Sequence, residues 1–100
     1  MMARYDRYRL REQAGYLLDV QTDLIDRLQT RVVVPLLPTG STPPPVRRLN
    51  PVFDIGGIRY VMATPLLAAV PATELEASQA NLSMHHDQIV AALDMLFQGF

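Results

Sequence analysis

The chain has 100 residues, 49% of them apolar, a net charge of −1 and no cysteine. A chain this short has too little interior to divide, so residues 1–100 are read as one domain, and the near-neutral charge excludes a general nucleic-acid binder, which needs a clustered positive surface. Without cysteine there is neither a disulfide framework nor a thiolate metal site, which suits a reducing compartment.

The N-terminal residues Met1-Met2-Ala3-Arg4-Tyr5-Asp6 lack the apolar stretch and cleavage site of a secretory signal. No apolar run approaches the roughly 20 residues that span a bilayer. A soluble, cytoplasmic protein with no membrane partner is therefore expected. All nine basic residues are arginine, and Arg4, Arg7, Arg9 and Arg11 fall within the first eleven positions. Guanidinium groups pair with carboxylates in a planar, two-pronged geometry, so this cluster reads either as a solvated hairpin or as a dock for an acidic partner segment.

Residues 15–20 (Gly-Tyr-Leu-Leu-Asp-Val) and 31–37 (Arg-Val-Val-Val-Pro-Leu-Leu) are apolar or β-branched runs of strand length, joined by the polar stretch 21–30. The spacing of Asp19, Asp23 and Asp26 across this join is read as a solvated connector rather than a pair of acids for proton transfer. Residues 38–45 (Pro-Thr-Gly-Ser-Thr-Pro-Pro-Pro) cannot form a ladder or a helix, because proline lacks the amide donor, and are read as a surface loop. This loop lacks a clear PxxP pattern and is taken as a stiff connection.

Val52-Phe53-Asp54-Ile55 and Ile58-Arg59-Tyr60-Val61-Met62 flank Gly56-Gly57 and predict a hairpin with a two-residue turn. Pro65-Leu66-Leu67-Ala68-Ala69-Val70 fits a short strand or a helical turn, and periodicity does not choose between them. Ser83 as N-cap, Asp87 in the first turns and a run of helix formers predict a helix over about 83–97. On it Ile89, Val90, Ala92, Leu93, Leu96 and Phe97 share an arc that is expected to bury, while Asp87, Ala91, Asp94 and Gln98 share the opposite stripe, continued by Gly99 and Phe100. The expected fold is mostly β with a C-terminal α-helix, an SH3-like small barrel or curled antiparallel sheet. Met62, Leu66, Leu67 and Met95 offer more apolar surface than one copy would hide, and a symmetric homodimer is expected.

No nucleophilic serine setting or glycine-rich phosphate loop is present. His85-His86-Asp87 is not read as a metal site, because adjacent helix residues diverge by about 100° and no histidine follows at the spacing of a zinc pair. No metal or cofactor is expected.

Three separated stretches carry a resemblance: residues 16–26 (Tyr-Leu-Leu-Asp-Val-Gln-Thr-Asp-Leu-Ile-Asp), 31–36 (Arg-Val-Val-Val-Pro-Leu) and 51–56 (Pro-Val-Phe-Asp-Ile-Gly), with Leu96-Phe97-Gln98-Gly99-Phe100 at the end. In order and without large gaps, they resemble the CcdB family of toxins from bacterial toxin–antitoxin modules, which share a barrel with MazF and Kid. The resemblance implies a type II toxin that is not an enzyme: a homodimer whose C-terminal helices bind the DNA gyrase A subunit and poison the topoisomerase. It also implies neutralisation by a CcdA-like antitoxin with an acidic C-terminal segment, and contact with DNA only through the toxin–antitoxin complex that regulates its own transcription. The family's gyrase-contacting positions map to His86, Val90, Ala91, Asp94, Gln98, Gly99 and Phe100, and the antitoxin is expected at Arg4, Arg7, Arg9 and Arg11. The chain departs from the family's usual Phe-Trp-Gly-Ile ending at Gln98. Loss of a tryptophan cation–π contact removes on the order of 0.5–2 kcal/mol. The alternatives are an endoribonuclease on the same barrel, or a diverged homologue that binds antitoxin without poisoning gyrase.

Overall fold

A computed structural model describes residues 2–11, 13–25, 27–76 and 78–100. Seven strands precede one helix: β1 Asp6–Arg9, β2 Tyr16–Asp19, β3 Thr30–Pro38, β4 Val52–Ile55, β5 Ile58–Met62, β6 Ala68–Pro71 and β7 Ala80–Asn81, then α1 His86–Gln98. They form one curled antiparallel sheet in the order β4-β5-β3-β2-β1-β7, with β6 also on β3. This is the mostly β half-barrel closed by a terminal helix that the sequence implies. The strands at 15–20 and 31–37 and the 52–62 hairpin are where they were expected. Gly56 and Gly57 both take positive φ, 61° and 85°, as the tight turn requires. The ambiguous segment 65–70 is both things in turn, a 3-10 turn at Thr64–Leu66 and then β6.

β3 is the hub because it changes partners along one edge. Residues 30–33 pair with β6, and residues 36–38 pair with β5, so Pro38, expected in a loop, ends the ladder and a 3-10 turn at Thr39–Ser41 follows it. Pro35 sits at the changeover, its carbonyl accepting from Ala63 N–H at 2.9 Å. The amide it lacks would have pointed into the gap between the two partner strands, which is why proline is tolerated in so long a strand.

The two faces of the sheet bury different chemistry. On one, Leu18, Val34, Leu36, Phe53 and Met62 meet Ile89 and Ala92 of α1. Full burial of a side chain such as Ile89 contributes about 1.5–3 kcal/mol. Tyr8, Val33 and Leu75 make a smaller cluster. Asp19, neighbour of Val33 in the β2–β3 register, is completely buried and ion-paired to the equally buried Arg31, Nε to Oδ2 at 2.7 Å.

This corrects the reading of Asp19 as part of a solvated connector. Its other oxygen accepts from Gln21 N–H at 3.0 Å, whereas Asp23 is exposed and Asp26 lies outside the described residues. Strand alternation turned Asp19 inward, where a buried cation awaited it. Burial pushes the Asp19 carboxyl up, against the pull of Arg31 and the Gln21 amide. Burial is the largest influence on Arg31 and lowers it, but the bond and charge of Asp19, with the Asp23 charge and Tyr8, together raise it overall. The two shifts favour opposite states of the pair, and the 2.7 Å contact decides for the ionised one.

Two helix expectations are also revised. Ser83 does not cap α1: a 3-10 turn at Ser83–His85 precedes it, and Asn81 Oδ1 accepts the Ser83 amide at 2.9 Å. Phe97 is 69% exposed and lies outside the apolar cluster that Ile89 and Ala92 join. Met62 is wholly inside this chain's own core, so of the four residues expected at a dimer surface only Leu66 is strongly exposed, with Leu67 and Met95 half-buried.

Replacing Arg31 by methionine, which strands the Asp19 carboxylate, is expected to lower unfolding free energy by about 3–5 kcal/mol in urea titrations. The double variant Asp19→Leu/Arg31→Met recovers part of that loss. Burial and the Asp6 carboxylate push the Tyr8 phenol from 10.0 up to about 12. The fold holds that proton more tightly than the unfolded chain does, so its stabilisation is present below pH 10.0 and is lost as pH rises toward about 12. Denaturant midpoints measured across that interval should fall less steeply for Tyr8→Phe than for the parent.

Candidate functional site

The candidate surface lies on α1 and the two residues after it. Asp87 in the first turn suits the positive end of the helix dipole, and Gly99 closes the other end at φ 82° with its amide bonded to Met95 O at 3.1 Å. Of the positions that the resemblance marks, His86, Gln98, Gly99 and Phe100 are exposed and Val90, Ala91 and Asp94 are half-buried. Phe100 keeps 71% of its surface. The Gln98 side-chain amide donates to Asp94 Oδ1 at 3.3 Å. That bond occupies one carboxylate oxygen and leaves the second free to accept from a partner. At the other end, His86 Nδ1 is hydrogen-bonded to the Tyr5 hydroxyl, and the two rings meet edge to face with centroids 5.5 Å apart. His85 packs its ring on Phe53, so the two histidines serve different neighbours.

The N-terminal arginines divide into two pairs. Arg4 is half-buried, with Nε donating to Val20 O at 3.1 Å and its guanidinium 4.8 Å from the Tyr5 ring centre. Arg7 lies 4.3 Å over the Tyr16 ring, its Nε buried without a hydrogen bond. Both are engaged in the fold. Arg9 and Arg11 are exposed, and with Leu10, Gly15, Tyr16 and Tyr60 they line a cleft of about 350 Å³. Arg11 donates from Nη2 to Glu74 O at 3.3 Å and lies 4.0 Å from Glu76, both contacts exposed and screened by water.

Sequence reasoning passed over two features. Leu24 and Ile25, 92% and 46% exposed, stand at the tip of the 21–30 connector. Two apolar residues within a polar stretch were the available signal. Arg48 and Pro51, which follow the proline loop, share a cleft of about 240 Å³ with Gln88 and Ala91 of α1. Nothing local in the sequence brings residue 48 to residue 91. Pro43 and Pro44 line a separate apolar groove of about 530 Å³ with Leu37, Leu49, Val61 and Leu66.

A family model described as CcdB protein matches residues 4–99. The chain belongs to the CcdB family. It is therefore a toxin of a toxin–antitoxin module. In this CcdB-family toxin the match takes in all four N-terminal arginines and the whole helix, and it stops one residue before the exposed Phe100. No helix among the described residues is long and apolar enough to cross a membrane.

Proposed function

We propose that this toxin acts by binding the DNA gyrase A subunit through His86, Val90, Ala91, Asp94, Gln98, Gly99 and Phe100, stalling the enzyme without catalysing a reaction of its own. The observation that carries the reading is the helix end. An exposed aromatic ring at Phe100 and a carboxylate hydrogen-bonded to Gln98 lie at the same end of α1, a combination suited to stacking on one guanidinium and accepting from another. Gln98 replaces the family's usual tryptophan, and Phe100 supplies an aromatic face two residues later.

The endoribonuclease alternative finds little support. The most acid-base-like spacing in the chain begins at Asp19, which is sealed from solvent and neutralised by Arg31. A homodimer is supported by the 69% and 60% exposure of Phe97 and Leu66, large apolar side chains that a second copy would cover. The antitoxin is assigned to the exposed pair Arg9 and Arg11, whose guanidiniums suit an acidic peptide, with Arg4 and Arg7 holding the strand that presents them. Regulation of transcription and contact with DNA then belong to the toxin–antitoxin complex, in the cytoplasm.

Phe100→Ala and Asp94→Ala are each expected to weaken binding to purified gyrase A subunit by about tenfold in calorimetric titration and to reduce growth inhibition and gyrase-dependent DNA damage on expression. Unchanged affinity and toxicity in both variants would remove the gyrase reading. Arg9→Glu/Arg11→Glu is expected to remain toxic but to escape rescue by the co-expressed antitoxin. Full rescue would place the antitoxin elsewhere.

A further inference from the structure

Arg48 lines the cleft beside α1. It takes φ 69°, a left-handed conformation that side-chain-bearing residues rarely adopt. Such a conformation persists only where its surroundings impose it, and here they do. The Val46 amide donates to Asn50 Oδ1 at 3.0 Å, and the Asn50 amide donates back to Val46 O at 2.9 Å. The Asn50 side chain also donates to Met62 O at 3.0 Å, and the wholly buried Thr64 donates its hydroxyl to Leu49 O. The turn is thus fastened to β5 and to the segment after it, with Arg48 fixed between two anchored residues.

What this fastening presents is a cation beside the docking helix. Arg48 is exposed and forms no ion pair among the described residues, with neither Asp87 nor Asp94. The cleft it lines is closed by Pro51, Gln88 and Ala91, none of which carries charge. Ala91 belongs to the stripe proposed to meet gyrase, so a macromolecule seated on that stripe also covers the mouth of the cleft. An unpaired guanidinium covered in this way needs a carboxylate, because a buried cation without a counter-charge weakens association. The Gln88 amide at the same cleft adds a second donor for such a group.

We propose that Arg48 is a second anchor of the docking surface, receiving an acidic side chain of the same target that the helix binds. This rests on the gyrase reading and adds to it a residue outside the helix, together with the chemistry of its mate. The surface then carries opposite charges at two points, the Asp94 carboxylate on the helix and Arg48 across the cleft, which fixes orientation as well as strength.

The test uses the full-length toxin and purified gyrase A subunit, titrated at several salt concentrations. Arg48→Ala is expected to bind about tenfold more weakly and to show a shallower dependence on salt. Arg48→Glu should bind more weakly still, and Arg48→Lys should retain part of the loss. Arg48→Gly separates charge from backbone: it relaxes the left-handed residue, so it should unfold at the same or a higher temperature yet bind as weakly as the alanine variant. Parental affinity in the alanine, glutamate and glycine variants overturns the proposal. So does loss of antitoxin rescue with gyrase binding intact, which would assign Arg48 to the other partner. If the parent itself fails to bind gyrase while still arresting growth, the gyrase reading falls first and this inference with it.

Discussion

The fold depends on one buried ion pair. Asp19 ends β2 and Arg31 lies near the start of β3, so their contact is made where the two strands part around the 21–30 connector. Removing two charges from water is costly, and the contact offsets that cost only because its remaining valences are largely met. Gln21 is hydrogen-bonded to the pair from both sides: its amide binds Asp19, its carbonyl accepts from Arg31 Nη2 at 3.5 Å, and its side-chain oxygen accepts from the Val32 amide at 3.1 Å. One guanidinium nitrogen, Arg31 Nη1, is left without a hydrogen bond. The connector is therefore held at its root, and its apolar tip at Leu24 and Ile25 projects from a fixed base.

The same residue sets the position of the helix. Asp19 O accepts the Tyr5 amide at 2.6 Å, and the Tyr5 hydroxyl reaches His86 at the first turn of α1. Tyr5 adopts φ 73° to do this, and the neighbouring Arg4 amide donates to Asp23 Oδ1 at 2.8 Å. A continuous series of contacts thus runs from Arg31 through Asp19 and Tyr5 to the start of the candidate surface. The apolar half of the same job is done by Ile89 and Ala92, which seat the helix on Leu18, Val34 and Leu36.

With its first turns fastened, the helix leaves Phe97 and Phe100 exposed although their chemistry favours burial. Asp94 and Gln98, one turn apart, bond to each other. A surface built this way presents charge and aromatic area at one end of the helix.

The sequence by itself determined what short-range chemistry dictates. Alternation and β-branching marked β2 and β3, Gly56-Gly57 required the hairpin, and the helix formers after His85 placed α1 and the stripe holding Ala91, Asp94 and Gln98. The separated motifs around Tyr16, Arg31 and Pro51 carried the resemblance to the family. Tertiary structure alone decided the rest. Whether Asp19 faced water or a cation depended on Arg31, twelve residues away and paired only across strands. Whether Arg4 and Arg7 were free depended on the Val20 carbonyl and the Tyr16 ring, which they meet only once the chain has folded. Arg48 came to lie beside Ala91 because the turn that holds it is fastened to Met62 and Thr64. A local pattern records which face a residue occupies, whereas its partner is set by how distant segments are brought together, and that information exists only once the chain has folded.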